Sequence, residues 1–367
     1  MPFQLFFFSN TVWKRFRRNG LAMVSLVVIG LFVCVAVLGY IIAPDNTPHA
    51  DLQTIELQAK PPGYQQSFLL IPLTAVEKKS WLTAILQGRP ARFKYIPIQQ
   101  YSIQGNQLEF QRYIDEDTTV LEKMSIQDIV GVSKQPIQTF IVQKTFWLGT
   151  DMLGRDLLSR LIIGTRTSLS VGLVAVLISL LIGIGLGSVA GYYGKWVDAL
   201  IMWGINVVWS IPTVLLVFAF TISMGKGFWQ ILIAIGLTMW VNVARLVRGQ
   251  VMQTKSLEYV QAAQIMGLST TSILFKHILP NISGPVMVLA ASNFAMAIII
   301  EAGLSFLGIG LQPPQPSWGL MIKENYHFII TSKPFLALIP GFAIMLLVLA
   351  FTVVGNALRD AFHQQSN

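Results

Sequence analysis

Glu301 is the one acid set deep in a long apolar run, Met296-Ala297-Ile298-Ile299-Ile300-Glu301-Ala302-Gly303-Leu304. An ionised side chain inside a membrane span costs about 2.5–3.5 kcal/mol on insertion scales, so such a group faces protein or water and marks a function. Two chemistries fit it. The carboxylate lines a translocation path or outer gate, or the carboxyl is held by a structural salt bridge or hydrogen bond to a neighbouring helix. The second candidate is a mostly polar island among apolar runs, Glu258-Tyr259-Val260-Gln261-Ala262-Ala263-Gln264-Ile265-Met266-Gly267, followed by Ile278-Leu279-Pro280. Its chemistry is mechanical. Two short helices, over 257–266 and 271–278, hinge at Gly267, which can take the left-handed conformation that ends a helix. The second helix is expected to stop at Leu279-Pro280. Ala262 and Ala263 offer a flat surface that enters a partner's groove where larger side chains would be blocked. The alternative is an ordinary helical loop lying on a membrane.

A third set is Asp151, Gly154, Arg155 and Asp156, followed by Ser159 and Arg160. Leu153, Leu157, Leu158, Leu161 and Ile162 fall on one helical stripe while Arg155, Asp156, Ser159 and Arg160 face elsewhere. The pattern predicts an amphipathic interfacial helix over 147–169, capped by Thr150 or Asp151 and leading into a span. Asp/Arg pairs would tie it down, or contact substrate. Enzymatic chemistry finds no support. His49, His277, His327 and His363 are scattered, and Cys34 is the one cysteine, so no intrachain disulfide or cysteine-based metal site is expected. No Gly-x4-Gly-Lys-Ser/Thr phosphate loop is present, which argues against the chain being an ATPase.

The elements that must position these residues are membrane spans. Only 12% of the 367 residues are charged and 53% are hydrophobic, and several runs reach the roughly 20 residues that cross a bilayer core. Six spans are expected, at 21–42, 169–192, 199–224, 228–247, 286–307 and 335–354. The lack of sustained apolar/polar alternation makes them helices. The first is read as an uncleaved anchor, since its apolar stretch is too long for a signal peptide. Lys14, Arg15, Arg17 and Arg18 precede it, which places the N-terminus in the cytoplasm. Alternation then puts Lys195, Arg245, Arg248, Lys255, Lys276 and Arg359 on the same side, against Asp198, Glu258 and Asp360, and the short outer loops hold Lys226, Lys323, Lys333 and Glu324. The net charge of +9 is thus topological and gives no reason to invoke nucleic acid. Glycines 183, 185, 187 and 191 predict close helix packing in the second span, and Pro212 and Pro340 are kinks tolerated within spans.

The stretch 44–167 is polar and extracytoplasmic by topology. Runs such as Phe93-Lys94-Tyr95-Ile96 and 107–115 are β-prone, turns fall at Pro61-Pro62-Gly63 and Gln104-Gly105-Asn106, and 117–132 reads as helical. The expected organisation is a cytoplasmic N-terminus (1–20), an anchor (21–43), a small α+β extracytoplasmic insertion (44–146) and a transmembrane domain (147–367) containing the loop 248–282.

These residues resemble a known family. The coupling motif of ABC-importer permeases reads Glu-Ala-Ala, three residues, Gly, nine residues, Ile, one residue, Leu-Pro. This chain has Gln261-Ala262-Ala263, Gly267, His277 at the Ile position, and Leu279-Pro280. The blocks Leu148-Gly149-Thr150-Asp151, Gly154-Arg155-Asp156, Ala190-Gly191-Tyr192-Tyr193-Gly194, Ala244-Arg245-Leu246-Val247-Arg248-Gly249, Glu301-Ala302-Gly303-Leu304-Ser305-Phe306-Leu307-Gly308 and Pro313-Pro314-Gln315-Pro316-Ser317-Trp318-Gly319 look like the second permease subunit of the dipeptide/oligopeptide/nickel importers. The likeness runs over about 146–362 and includes the N-terminal anchor; the insertion at 65–143 is longer than this family usually carries. The resemblance implies an all-α polytopic membrane protein with an N-terminal anchor and a five-helix ABC type I importer core. It implies a non-catalytic subunit of the bacterial cytoplasmic membrane, with both termini cytoplasmic, moving di- or oligopeptides by alternating access, with nickel or another small solute as alternative. It implies a second permease subunit, two ATP-binding subunits that hold ATP and magnesium, an extracytoplasmic solute-binding protein and surrounding lipid. Glu258, Gln261, Ala262, Ala263, Gly267, Leu279 and Pro280 would then form the ATPase-coupling loop. An ion-coupled secondary carrier would need paired intramembrane charges and repeat symmetry, and a membrane-anchored sensor would leave the Ala-Ala-x3-Gly loop unexplained.

Overall fold

The computed structural model describes residues 10–73, 80–130, 136–225 and 227–363; Lys226 and 131–132 of the expected helix therefore lie outside the described residues. In chain order the elements are α1 (Asn10–Arg18), α2 (Gly20–Ile42), β1 (Tyr64–Pro72), α3 (Trp81–Gln87), β2 (Phe93–Gln104), β3 (Gln107–Tyr113), β4 (Thr119–Ser125), α4 (Ile126–Val130), β5 (Ile141–Phe146) and α5 (Leu157–Tyr193). There follow α6 (Lys195–Trp209), α7 (Thr213–Met224), α8 (Phe228–Lys255), α9 (Glu258–Ile265), α10 (Thr270–Ile273), α11 (Leu279–Phe306), α12 (Trp318–Asn325) and α13 (Phe335–His363). Two compact units result: a helical unit of 1–33, 168–312 and 342–367, and a sheet unit of 34–167 and 313–341.

Among the described residues five helices are long and apolar enough to cross a membrane, six if the bent pair α6–α7 is one span. The run 199–224, expected as one kinked span, is broken at Ser210-Ile211-Pro212 and turns by 89°. Pro212 has no N–H to continue the α6 ladder, and its ring excludes the preceding carbonyl, so a new helix starts after it. Pro340 sits inside α13.

In the helical unit α8 is the most enclosed span, 61% buried against 11% for α2. Glycines of α5 allow its approach. A Cβ at Gly187 would stand 2.5 Å from the Ala244 carbonyl oxygen, and one at Gly191 2.7 Å from that of Arg248, whereas Gly185 faces open space. The contact stripe is therefore 183, 187 and 191, one residue per turn, as small-residue packing in lipid requires.

The sheet unit is built on five antiparallel strands in the order β4-β3-β2-β1-β5. Leu57, Phe68, Ile98, Leu108, Phe110, Ile129, Phe140 and Phe146 fill its core. Gly105, at φ +60°, makes the tight β2–β3 hairpin that pairs Gln104 with Gln107. Of the stretch expected as helix, the described residues 119–130 are instead strand β4 followed by the short α4. Thr119 pairs with Tyr113 and Glu122 with Phe110, so sheet pairing overrides weak helical spacing.

Candidate functional site

The polar island forms a hinged platform in the helical unit. Leu257 is extended before α9, and Glu258 lies in its first turn, where its charge complements the helix dipole. At the other end the Leu268 amide donates to the Ala263 carbonyl (3.2 Å) and the Gly267 amide to that of Gln264 (3.0 Å), with Gly267 at φ +75°. This is a Schellman turn, which needs a residue at ease in the left-handed region. Ser269 then caps α10, its Oγ accepting from the Ser272 amide.

The second helix does not stop at Leu279-Pro280 as expected. A π-turn over Leu274–Ile278 joins α10 to α11, closed by the Leu279 amide donating to the Leu274 carbonyl, so 270–306 is one helical run. The wider turn carries the run through Pro280, which has no N–H to donate back into the preceding turn.

The alanine pair is divided. Ala263 is buried with Val260, Ile273, Leu274, Ile278 and Ile282 against Val243, Val247 and Val251 of α8, while Ala262, Glu258 and Gln261 are exposed. Beside them Ile265, Met266 and Phe275 are 87%, 72% and 68% exposed, with Leu257 and Leu268 also open. Leu268 and Phe275 lie outside the candidate motif, and Ile265 and Met266 lie within the island but outside the residues assigned to coupling, because exposure cannot be read from apolar identity. Asn281 Nδ2 donates to the Tyr259 hydroxyl (2.9 Å) and to the His277 carbonyl (2.6 Å), tying α9 to α11. Several basic residues read as topological charge also hold the platform's supports. Arg248 makes a two-pronged bond to Asp198 (2.5 and 2.6 Å), the Arg245 guanidinium lies 3.7 Å from the Trp209 ring centre, and Lys255 donates to the Tyr192 carbonyl.

Glu301 lies in α11, fully buried. Its Oε1 accepts from Ser305 Oγ one turn on (2.7 Å), and that oxygen in turn accepts from the Leu311 amide (3.0 Å). The carboxylate is thereby linked to the chain that leaves α11, in line with the rule that buried charge is hydrogen-bonded.

In the sheet unit, Asp151, Gly154, Arg155 and Asp156 form a turn instead of a helix. Asp151 Oδ1 accepts from the Leu153 and Arg155 amides, and Gly154 (φ +70°) packs against the Thr54 carbonyl with no room for a Cβ. Such side-chain-to-backbone bonds compete with helix formation. The helix α5 begins at Leu157 and is capped by Asp156, which accepts from the Ser159 amide at 2.9 Å, not by Thr150 or Asp151.

The polar face expected to point away from the apolar stripe is the buried one. Arg155, Asp156, Ser159 and Arg160 are all enclosed. Arg155 Nε pairs with Asp151 (2.6 Å) and Nη2 with Glu324 of α12 (2.7 Å), and Arg160 Nη2 reaches the same Glu324 oxygen (3.1 Å). Burial presses the Arg155 pKa down, but Asp151, Glu324 and Asp51 more than reverse it. Burial pushes the Asp156 carboxyl above its ordinary range, with Ser159 opposing. Trp318 Nε1 donates to the Leu161 carbonyl and its ring fills the space left by Gly164. Glu324 and Trp318 thus complete a cluster that the local motif could not reveal.

Residues 183–366 match the family of binding-protein-dependent transport system inner membrane components, and 8–62 match the N-terminal transmembrane domain of oligopeptide transport permease C. The chain is 43% identical to the glutathione transport system permease protein GsiD of Pectobacterium atrosepticum, over 59% of this chain and 71% of that one. It is 42% identical to the dipeptide transport system permease protein DppC of Alkalihalophilus pseudofirmus, over 59% and 70%. It is 40% identical to the oligopeptide transport system permease protein OppC of Bacillus subtilis, over 65% and 75%. A chain of the inward-facing methionine ABC transporter MetNI overlays with a TM-score of 0.45 at 17% identity, over 55% of this chain and 95% of that one. The strands β1–β5 all lie in 63–182, which neither family model spans; with half the chain inside one model and such relatives beside it, this protein belongs to the binding-protein-dependent transport system inner membrane component family, in its dipeptide/oligopeptide permease branch.

Proposed function

We propose that the chain is a membrane-spanning permease subunit of an ATP-driven importer that carries di- or oligopeptides inward across the bacterial inner membrane. The single observation that supports its coupling role is the exposed apolar patch of Ile265, Met266, Leu268 and Phe275 on a platform held to α8 by Val260 and Ala263. A contiguous apolar surface left open on a folded loop marks a protein contact. The occupant is an ATP-binding subunit, two of which bind ATP and magnesium and perform hydrolysis that this chain does not. Their closure displaces α9. The Schellman turn and the tie from Tyr259 to Asn281 pass that displacement to α11, which carries Glu301, and alternating access follows. A second permease subunit completes the pathway, and an extracytoplasmic binding protein delivers the solute. Both termini are cytoplasmic. The names of the relatives support peptides, and the same machinery suits nickel or another small solute.

The test is purification of the complex in detergent with its natural partners. Wild type should retain a nucleotide-hydrolysing subunit, and Ile265→Asp with Met266→Asp should lose it while the chain still inserts. Failure of wild type to retain any such subunit, or full retention by the double variant, refutes the reading.

A further inference from the structure

The helix α1 carries Lys14, Arg15, Arg17 and Arg18, with its three arginines in the last turn and no acid in the first. Its apolar face is spent on protein: Val12 and Phe16 are buried against Val288 of α11 and Val354, Leu358 and Ala361 of α13. At 100° per residue Trp13, Lys14, Arg17 and Arg18 share the opposite flank, and all four are exposed. Among the described residues none of the four cations forms an ion pair, and Nη1 of Arg15 is buried there without a hydrogen-bond partner. One residue, Asn19, separates α1 from the candidate span α2. Asn19 caps α2 by accepting from the Ala22 amide (3.1 Å), and α2 is the candidate span least covered by protein.

Clustered cations without protein anions, beside a Trp and at the mouth of a span, match a layer of anionic phosphate headgroups in charge and in depth. We propose that α1 binds anionic phospholipid headgroups through Lys14, Arg17 and Arg18. Because its other face braces α11 and α13, the packing of those helices depends on lipid charge. A bare topological signal would need the cations but not a folded helix that presents them on one flank and wedges its other flank between two spans. The inference rests on α2 crossing a bilayer, and is independent of any ATPase contact.

The test uses the full-length chain in a neutral detergent, titrated with phosphatidylglycerol or phosphatidylcholine, with bound lipids counted by native mass spectrometry and melting followed in parallel. Phosphatidylglycerol should be retained over phosphatidylcholine and should raise the melting temperature. Its affinity should fall about fivefold per cation removed, so roughly a hundredfold in Lys14→Gln/Arg17→Gln/Arg18→Gln. Arg89→Gln/Arg92→Gln/Lys94→Gln, which removes the same three charges from exposed positions of the sheet unit, should bind as wild type does. Equal retention of the two lipids by wild type, or undiminished phosphatidylglycerol binding by the α1 variant, overturns the proposal. If the α1 variant fails to fold, a salt titration of wild type decides. Retention that falls steeply with ionic strength upholds the proposal, and retention indifferent to salt overturns it.

Discussion

Ala262 and Ala263 are neighbours of identical chemistry on α9, one exposed and one buried, so one substitution at each separates docking from folding. Ala262→Asp adds an exposed carboxylate to a helix that tolerates it. The cost is at most about 0.7 kcal/mol of helix propensity, and the platform should stay folded. Ala263→Asp places the same group among Val260, Ile273, Leu274 and Ile278. An unpaired charge there costs roughly 3–5 kcal/mol. What holds α9 down is the burial of Val260, worth about 1.5–3 kcal/mol, one alanine methyl, worth about 0.8 kcal/mol, and the Tyr259–Asn281 hydrogen bond, worth about 0.5–1.5 kcal/mol. The penalty is of the same size as that anchor, so α9 should loosen. Transport in proteoliposomes, retention of the ATP-binding subunits and hydrogen exchange over 258–268 read the two effects apart. Ala262→Asp is expected to lose retention at least tenfold with native exchange protection. Ala263→Asp is expected to lose both. Wild-type retention in Ala262→Asp would show that the exposed face is not the docking face, and unchanged protection in Ala263→Asp would refute the packing account.

Glu324→Gln should destabilise the sheet unit by about 3–5 kcal/mol, because two enclosed guanidinium groups lose a shared carboxylate. Asp51→Asn, at a 3.4 Å pair whose acid is 29% exposed, should cost no more than about 1 kcal/mol; thermal melting of the full chain ranks the two. Gly187→Val should drive α5 from α8 and cost about 1–3 kcal/mol or more by overpacking, while Gly185→Ala, facing open space, should melt as wild type does. Burial lowers the His49 pKa, with Asp51 opposing and Arg160 adding to the shift. A depressed base contributes stability that is present above its unfolded value near 6.5 and lost as pH falls through the folded value, so melting of wild type should drop on acidification from pH 7 to 5 and His49→Gln should flatten that slope.

Much of the site could be read in one dimension because its determinants are local. The Ala-Ala-x3-Gly spacing places Gly267 just past the end of α9, and the Schellman bonds that follow join residues at most five apart. The β2–β3 hairpin was legible for the same reason, since Gly105 alone supplies the conformation its turn needs. Where partners are distant, local pattern misled. The stretch 119–125 is a strand because β3 pairs with it, and the π-turn that carries the chain through Pro280 has no sequence signal of its own.

The presence and approximate place of the apolar spans, the hinge at Gly267 and the family itself were determined by sequence alone, but the 89° break within 199–224 was not. Bilayer thickness and helix-ending rules act on short contiguous stretches and leave few alternatives. Which side of each helix is inside was decided only by the tertiary structure. Arg155 is buried because Glu324, 169 residues away, meets it, and Ala263 is buried while Ala262 is not because α8 covers one flank of α9. Burial of a charge or a methyl is a property of what packs over it, and no window of sequence contains its own cover.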